Sequence, residues 1–197
     1  MKKAERKQEL LKTAYDLFLS KGYDAVSVDE IIKAAGIAKG TYYYYFKSKE
    51  ETLEEVIALM IAAEEQKAKA ILEMPIPVPQ KIVGIISSFR PDQAEQDIVE
   101  TLNRNENLLM HERVNAKIIE VAVPLLTKAA EEGIEQGIMN CDFLEERVRM
   151  LLILSNKIFD DGITSESTLL VYIDIVEKIL GAPKGTMDFI KGLVMGQ

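Results

Sequence analysis

The 197-residue chain is 48% hydrophobic and 28% charged, an ordinary balance for a folded soluble protein, and it is long enough for one large domain or two small ones with a real core. Its longest fully apolar run, residues 56–63, is far too short to span a bilayer, and no basic stretch leads into an apolar signal core. The single cysteine, Cys141, excludes an intramolecular disulfide and a cysteine-only metal site, so the expected setting is a reducing cytoplasm with no membrane partner.

The net charge of −8 argues at first against a nucleic-acid partner. Its distribution argues the other way. Residues 1–53 hold ten Lys/Arg and eight Asp/Glu, whereas residues 54–197 hold fourteen and twenty-four. A weakly basic lobe on an acidic body suits a small DNA-facing domain.

Residues 4–21 place Leu10, Leu11, Ala14, Leu17 and Phe18 on one helical stripe, which Gly22 stops. Ser27-Val28-Asp29-Glu30 is a capping box that opens a short helix burying Val28, Ile31, Ile32 and Ala35. Gly36 supplies a left-handed turn, and Ile37 anchors it. A second short helix runs from about Ala38 to Tyr45. Ser48-Lys49-Glu50-Glu51 is a second capping box, opening a long helix that ends near Glu73. Two short helices about a glycine turn, followed by a long third one, have the geometry of a helix-turn-helix, whose second helix enters the DNA major groove.

The spacing turns Lys39, Gly40, Thr41, Tyr43 and Tyr44 outward and Tyr42, Tyr45 and Phe46 inward or to the boundary. Four consecutive tyrosines cannot all be core, because a helix turns about 100° per residue. Ser27, Thr41, Tyr43 and Lys47 suit phosphate contacts near helix N-termini. Lys39 and Tyr44 suit base readout, and Gly40 lets the backbone approach closely.

Met74-Pro75-Ile76-Pro77-Val78-Pro79 is a proline-spaced break. Beyond it the pattern predicts helices over 80–89, 92–103, about 105–136, 143–160 and 166–180, with a short amphipathic tail at 186–195. The helix over 166–180 is apolar over most of its circumference and must be buried on more than one side. It is either an interior helix of one domain or, with 143–160, half of a four-helix interface with a second copy. The second arrangement uses Leu151, Ser155, Ile158, Leu169, Ile173, Val176 and Leu180.

Catalysis is not expected. His111-Glu112-Arg113-Val114-Asn115 lacks the second histidine of a zinc-protease helix, Leu108 stands where a di-iron motif needs a glutamate, and neither a G-x-S-x-G nor a P-loop is present. No metal or cofactor is expected.

Three stretches together resemble the DNA-binding domain of the TetR family of bacterial transcriptional regulators: Ala14 to Tyr23, which reads A-x-x-L-F-x-x-x-G-Y; Ala35 to Phe46, which reads A-G-I-A-K-G-T-Y-Y-Y-Y-F; and Lys47 to Glu51, which reads K-S-K-E-E. The resemblance runs from about Leu10 to Val56. The family commonly has an aliphatic residue where Tyr42 stands and often a histidine where Tyr44 stands. The resemblance implies an all-α fold. A three-helix helix-turn-helix domain, residues 1–53, is joined by a long helix to a helical ligand-binding and dimerisation domain, residues 54–197. It also implies a homodimer on double-stranded, palindromic operator DNA, released by a small apolar or amphipathic ligand. The ligand cavity implied among the later helices draws on Met60, Phe89, Asn103, Asn107, Met110, His111, Met150 and Phe159 as candidates, a mix of apolar bulk and a few polar groups.

Overall fold

The computed structural model describes residues 3–91, 95–102, 108–160 and 165–195. The described residues are helical, with no strand. In chain order the helices are α1 (Lys3–Lys21), α2 (Val28–Ala34), α3 (Lys39–Tyr45), α4 (Lys49–Leu72), α5 (Val78–Ser88), α6 (Gln96–Leu102), α7 (Leu108–Glu135), α8 (Leu144–Asp160), α9 (Glu166–Leu180) and α10 (Ile190–Met195). The helices expected from residue 28 to residue 73 agree with these bounds to about a residue.

The chain forms two compact units. One comprises Met1–Ala63 and Pro91–Val114, the other Glu64–Arg90 and Asn115–Gln197. In the first unit Leu10, Leu11, Ala14 and Phe18 of α1 pack inward with Ile31, Tyr42, Phe46, Leu53 and Val56. Ile31 alone of the α2 residues expected inside is fully buried; Val28, Ile32 and Ala35 are half-buried. A seven-residue helix has room for only one residue at the centre of its inner face. Helix α6 belongs to this unit, where the Tyr15 hydroxyl of α1 donates to the buried Glu95 carboxylate at 3.0 Å.

The second unit has its core in α5, α7, α8 and α9, around Ile82, Ile85, Leu126, Leu151, Leu152, Tyr172 and Val176. Lys81 is buried and its ammonium lies 2.7 Å from Glu132, an ion pair joining α5 to α7. The buried Glu177 carboxylate accepts the Met187 N–H at 2.8 Å and holds the turn before α10. Gly181 ends α9 at φ +63°, and a Cβ there would stand 2.0 Å from the Asn140 carbonyl oxygen. Only glycine permits both the left-handed backbone and that approach.

Candidate nucleic-acid interface

Two capping contacts and one glycine turn set the site. The Ser27 hydroxyl accepts the Glu30 N–H at 3.2 Å and starts α2. The Glu30 carboxylate pairs with Lys21 of α1, and that contact holds its pKa below the usual carboxylate value. At the other end of α2, Gly36 takes φ +61°. The Gly36 N–H donates to Lys33 and the Ile37 N–H to Ile32, both at 3.2 Å, the paired bonds of a glycine C-cap. The Ser48 hydroxyl accepts the Glu51 N–H at 3.1 Å and starts α4. The Glu51 carboxylate reaches back to the Lys47 N–H.

Between these caps, α3 divides its tyrosines by direction. Tyr42 and Phe46 are fully buried, with ring centroids 5.7 Å apart. The Tyr42 hydroxyl lies 2.6 Å from the Thr52 hydroxyl and 3.2 Å from the Ser48 carbonyl oxygen. Burial raises its pKa, and the Thr52 bond opposes that rise. Tyr45 is half-buried, and Tyr43 and Tyr44 are 47% and 62% exposed. An exposed tyrosine offers a partner both an apolar ring and a hydroxyl.

The other expected contact residues lie on the same stretch. Lys39, Gly40 and Lys47 are exposed, Thr41 is half-buried, and Ser27 is exposed at the head of α2. A Cβ at Gly40 would meet nothing within 4 Å, so the first turn of α3 is open to a close approach. Lys39 lies 3.3 Å from Asp29 of α2 in an exposed pair, a weak link that a stronger anion can displace.

Sequence reasoning missed Lys49. Its ammonium donates to the carbonyl oxygens of Tyr23 at 2.9 Å and Val26 at 3.0 Å, and stands 4.0 Å above the Tyr23 ring. Lys49 stands in the K-S-K stretch, but no local signal couples it to a loop more than twenty residues earlier.

Residues 10–56 match the family described as bacterial regulatory proteins, tetR family. The chain carries a tetR-family domain. Solved structures of similar fold include reduced NemR of E. coli, 21% identical, covering 91% of this chain and 99% of that one at a TM-score of 0.56. RolR in complex with resorcinol is 16% identical, covering 96% and 95% at 0.67. GusR of Salmonella enterica is 19% identical, covering 99% and 98% at 0.57. At these identities the likeness is one of fold. No curated relative matches the chain.

Outside the tetR-family domain the expected groups disperse. Leu151, Ser155, Leu169, Ile173, Val176 and Leu180 are buried inside the chain itself, and Ile158 is packed against the same core. Within one chain they therefore offer little surface to a second copy. The apolar side chains that α8 and α9 turn outward are Met150, Ile153, Leu170 and Val171, at 64%, 53%, 41% and 58% exposure. Among the ligand candidates, Met60, Met110 and His111 are half-buried in the first unit and Phe89 is half-buried in the second. Met150 is on the surface, and Phe159 falls on the last turn of α8. Asn103 and Asn107 lie outside the described residues.

Proposed function

We propose that this chain is a ligand-responsive, sequence-specific DNA-binding transcriptional regulator: a homodimeric repressor that leaves a palindromic operator when a small molecule binds. The observation that carries the reading is the split of α3, with Tyr42 and Phe46 locked inside while Lys39, Tyr43 and Tyr44 face outward on the tetR-family domain. In this reading residues 1–53 bind the duplex and residues 54–197 sense and dimerise. Ser27, Thr41, Tyr43 and Lys47 meet phosphates, Lys39 and Tyr44 meet base edges, and Gly40 admits the backbone.

The outward apolar residues of α8 and α9 support dimerisation in this reading. Met150, Ile153, Leu170 and Val171 are exposed apolar side chains on α8 and α9, and a two-fold partner using the same surface would cover them symmetrically.

The ligand belongs to the small amphipathic class, and the resorcinol complex of RolR supports the capacity of this fold to hold such a molecule. The described helices include none long and apolar enough to cross a membrane, in keeping with a cytoplasmic regulator. The reading is tested by fluorescence anisotropy of the full chain on its selected operator, titrated with a library of small amphipathic compounds. Release by a saturable compound is expected. Binding that no compound alters would reject ligand control and leave a constitutive binder.

A further inference from the structure

Lys49 stands at the first position of α4, two residues after Lys47 and among the groups expected near DNA phosphates. Its ammonium is turned the other way. Two of its three N–H donors are taken by the carbonyls of Tyr23 and Val26, and the Tyr23 ring lies 4.0 Å beneath it. Tyr23 is itself buried, edge-on to Phe18 at 5.2 Å between ring centroids. Val26 immediately precedes Ser27, the cap of α2. The lysine therefore spans the start of α4 and the loop that delivers the start of α2, and both ends carry a residue assigned above to phosphate contact.

We propose that Lys49 is a positioning residue for DNA binding, which fixes the spacing between Ser27 and Lys47 and does not itself meet a phosphate. The inference rests on the DNA-binding reading above. A charge-assisted bond to a carbonyl is stronger than a neutral one, and here two converge on one ammonium over an aromatic face. Breaking them frees the loop at residues 22–27 and lets the two phosphate contacts drift apart. A phosphate group spacing is fixed by the duplex, so drift lowers affinity without changing how many counterions are released.

That distinction is measurable. The full-length wild type, Lys49→Met, Lys49→Arg and Lys47→Ala are compared on the operator selected by the wild type, across a salt series, with the active fraction fixed by stoichiometric titration. Lys49→Met is expected to bind about tenfold more weakly, the scale of losing charge-assisted hydrogen bonds, with an unchanged slope of log affinity against log salt. Lys49→Arg, which keeps a charged donor, is expected to recover most of that loss. Lys47→Ala is expected to flatten the slope by about 0.9 per contact, hence about 1.8 for a dimer. If Lys49→Met fails to fold, Lys49→Gln decides: it removes the charge-assisted bonds while keeping a polar side chain, and a loss of affinity at constant slope is expected. A slope change of the Lys47→Ala size in Lys49→Met overturns the proposal in favour of direct phosphate contact. Unchanged affinity of the folded fraction overturns it in favour of a purely folding role. Absence of any selected operator for the wild type is a different result, and takes the DNA-binding reading down first.

Discussion

The hydroxyl groups of Tyr42 and Thr52 lie 2.6 Å apart, both side chains fully buried. Tyr42 sits in the middle of α3 and Thr52 in the first turn of α4, so this contact fastens the outward-facing tyrosines to the long helix. The Thr52 hydroxyl also donates to the Ser48 carbonyl at 3.0 Å, closing a three-membered polar cluster in an otherwise apolar core. Where the resembling family commonly places an aliphatic residue, this chain uses a ring plus a hydrogen bond.

Tyr42→Phe keeps the ring and removes only the hydroxyl, and is expected to lower the free energy of unfolding by about 1 kcal/mol. Tyr42→Ala opens a cavity beside Phe46 and is expected to cost about 3–5 kcal/mol. The losses of Tyr42→Phe and Thr52→Val are expected to add to more than the loss of the double variant, because each single change already removes the contact between the two hydroxyls. Denaturant unfolding of the four proteins checks this; strict additivity would show that the hydroxyls do not act as a pair.

Tyr44 and Lys47 are expected to fail in different ways. Tyr44→Ala changes which base is preferred in the operator, since it removes a group placed for readout. Lys47→Ala weakens all sequences alike and flattens the salt dependence. Binding-site selection repeated with each variant separates the two. An unaltered consensus for Tyr44→Ala would refute its readout role.

The helical skeleton was legible in the sequence because its signals are local. Capping serines, a glycine at φ +61° and the turn of a helix per residue suffice to place α2, α3 and α4 and to sort four adjacent tyrosines. What was not legible depends on which of two faces meets what. Helix α9 is apolar on most sides, so periodicity could not tell the inward Ile173 and Val176 from the outward Leu170 and Val171. The docking of α6 on α1 was hidden for the same reason. Tyr15 and Glu95 are eighty residues apart, and neither stands in a motif.

The different burial of these side chains separates the expected oligomer variants. Met150→Glu and Val171→Glu put charge on an exposed face and are expected to give folded monomers, raising the dimer dissociation constant by about a hundredfold, as for loss of a well-packed contact. Ile173→Glu puts the charge inside the chain and is expected to unfold it. Light scattering together with circular dichroism reads both properties. A Val171→Glu protein that stays dimeric would remove this face from the interface.

The Lys81–Glu132 pair is asymmetric, with the Lys81 side chain 8% exposed and that of Glu132 35% exposed. Lys81→Met leaves a carboxylate that water can reach and adds apolar contact, so little loss is expected. Glu132→Leu strands a buried ammonium and is expected to cost about 3 kcal/mol. Equal losses in thermal unfolding would show that the lysine is better solvated than its burial indicates.

Whether α3 reads DNA sequence is decided by selection of binding sites from random duplex DNA by the full-length chain. Enrichment of a two-fold symmetric site with half-sites about one helical turn apart is expected, and loss of that enrichment when Lys39 and Tyr44 are replaced together by alanine. Enrichment that survives the double replacement, or no enrichment at all over the starting pool, would contradict readout by α3.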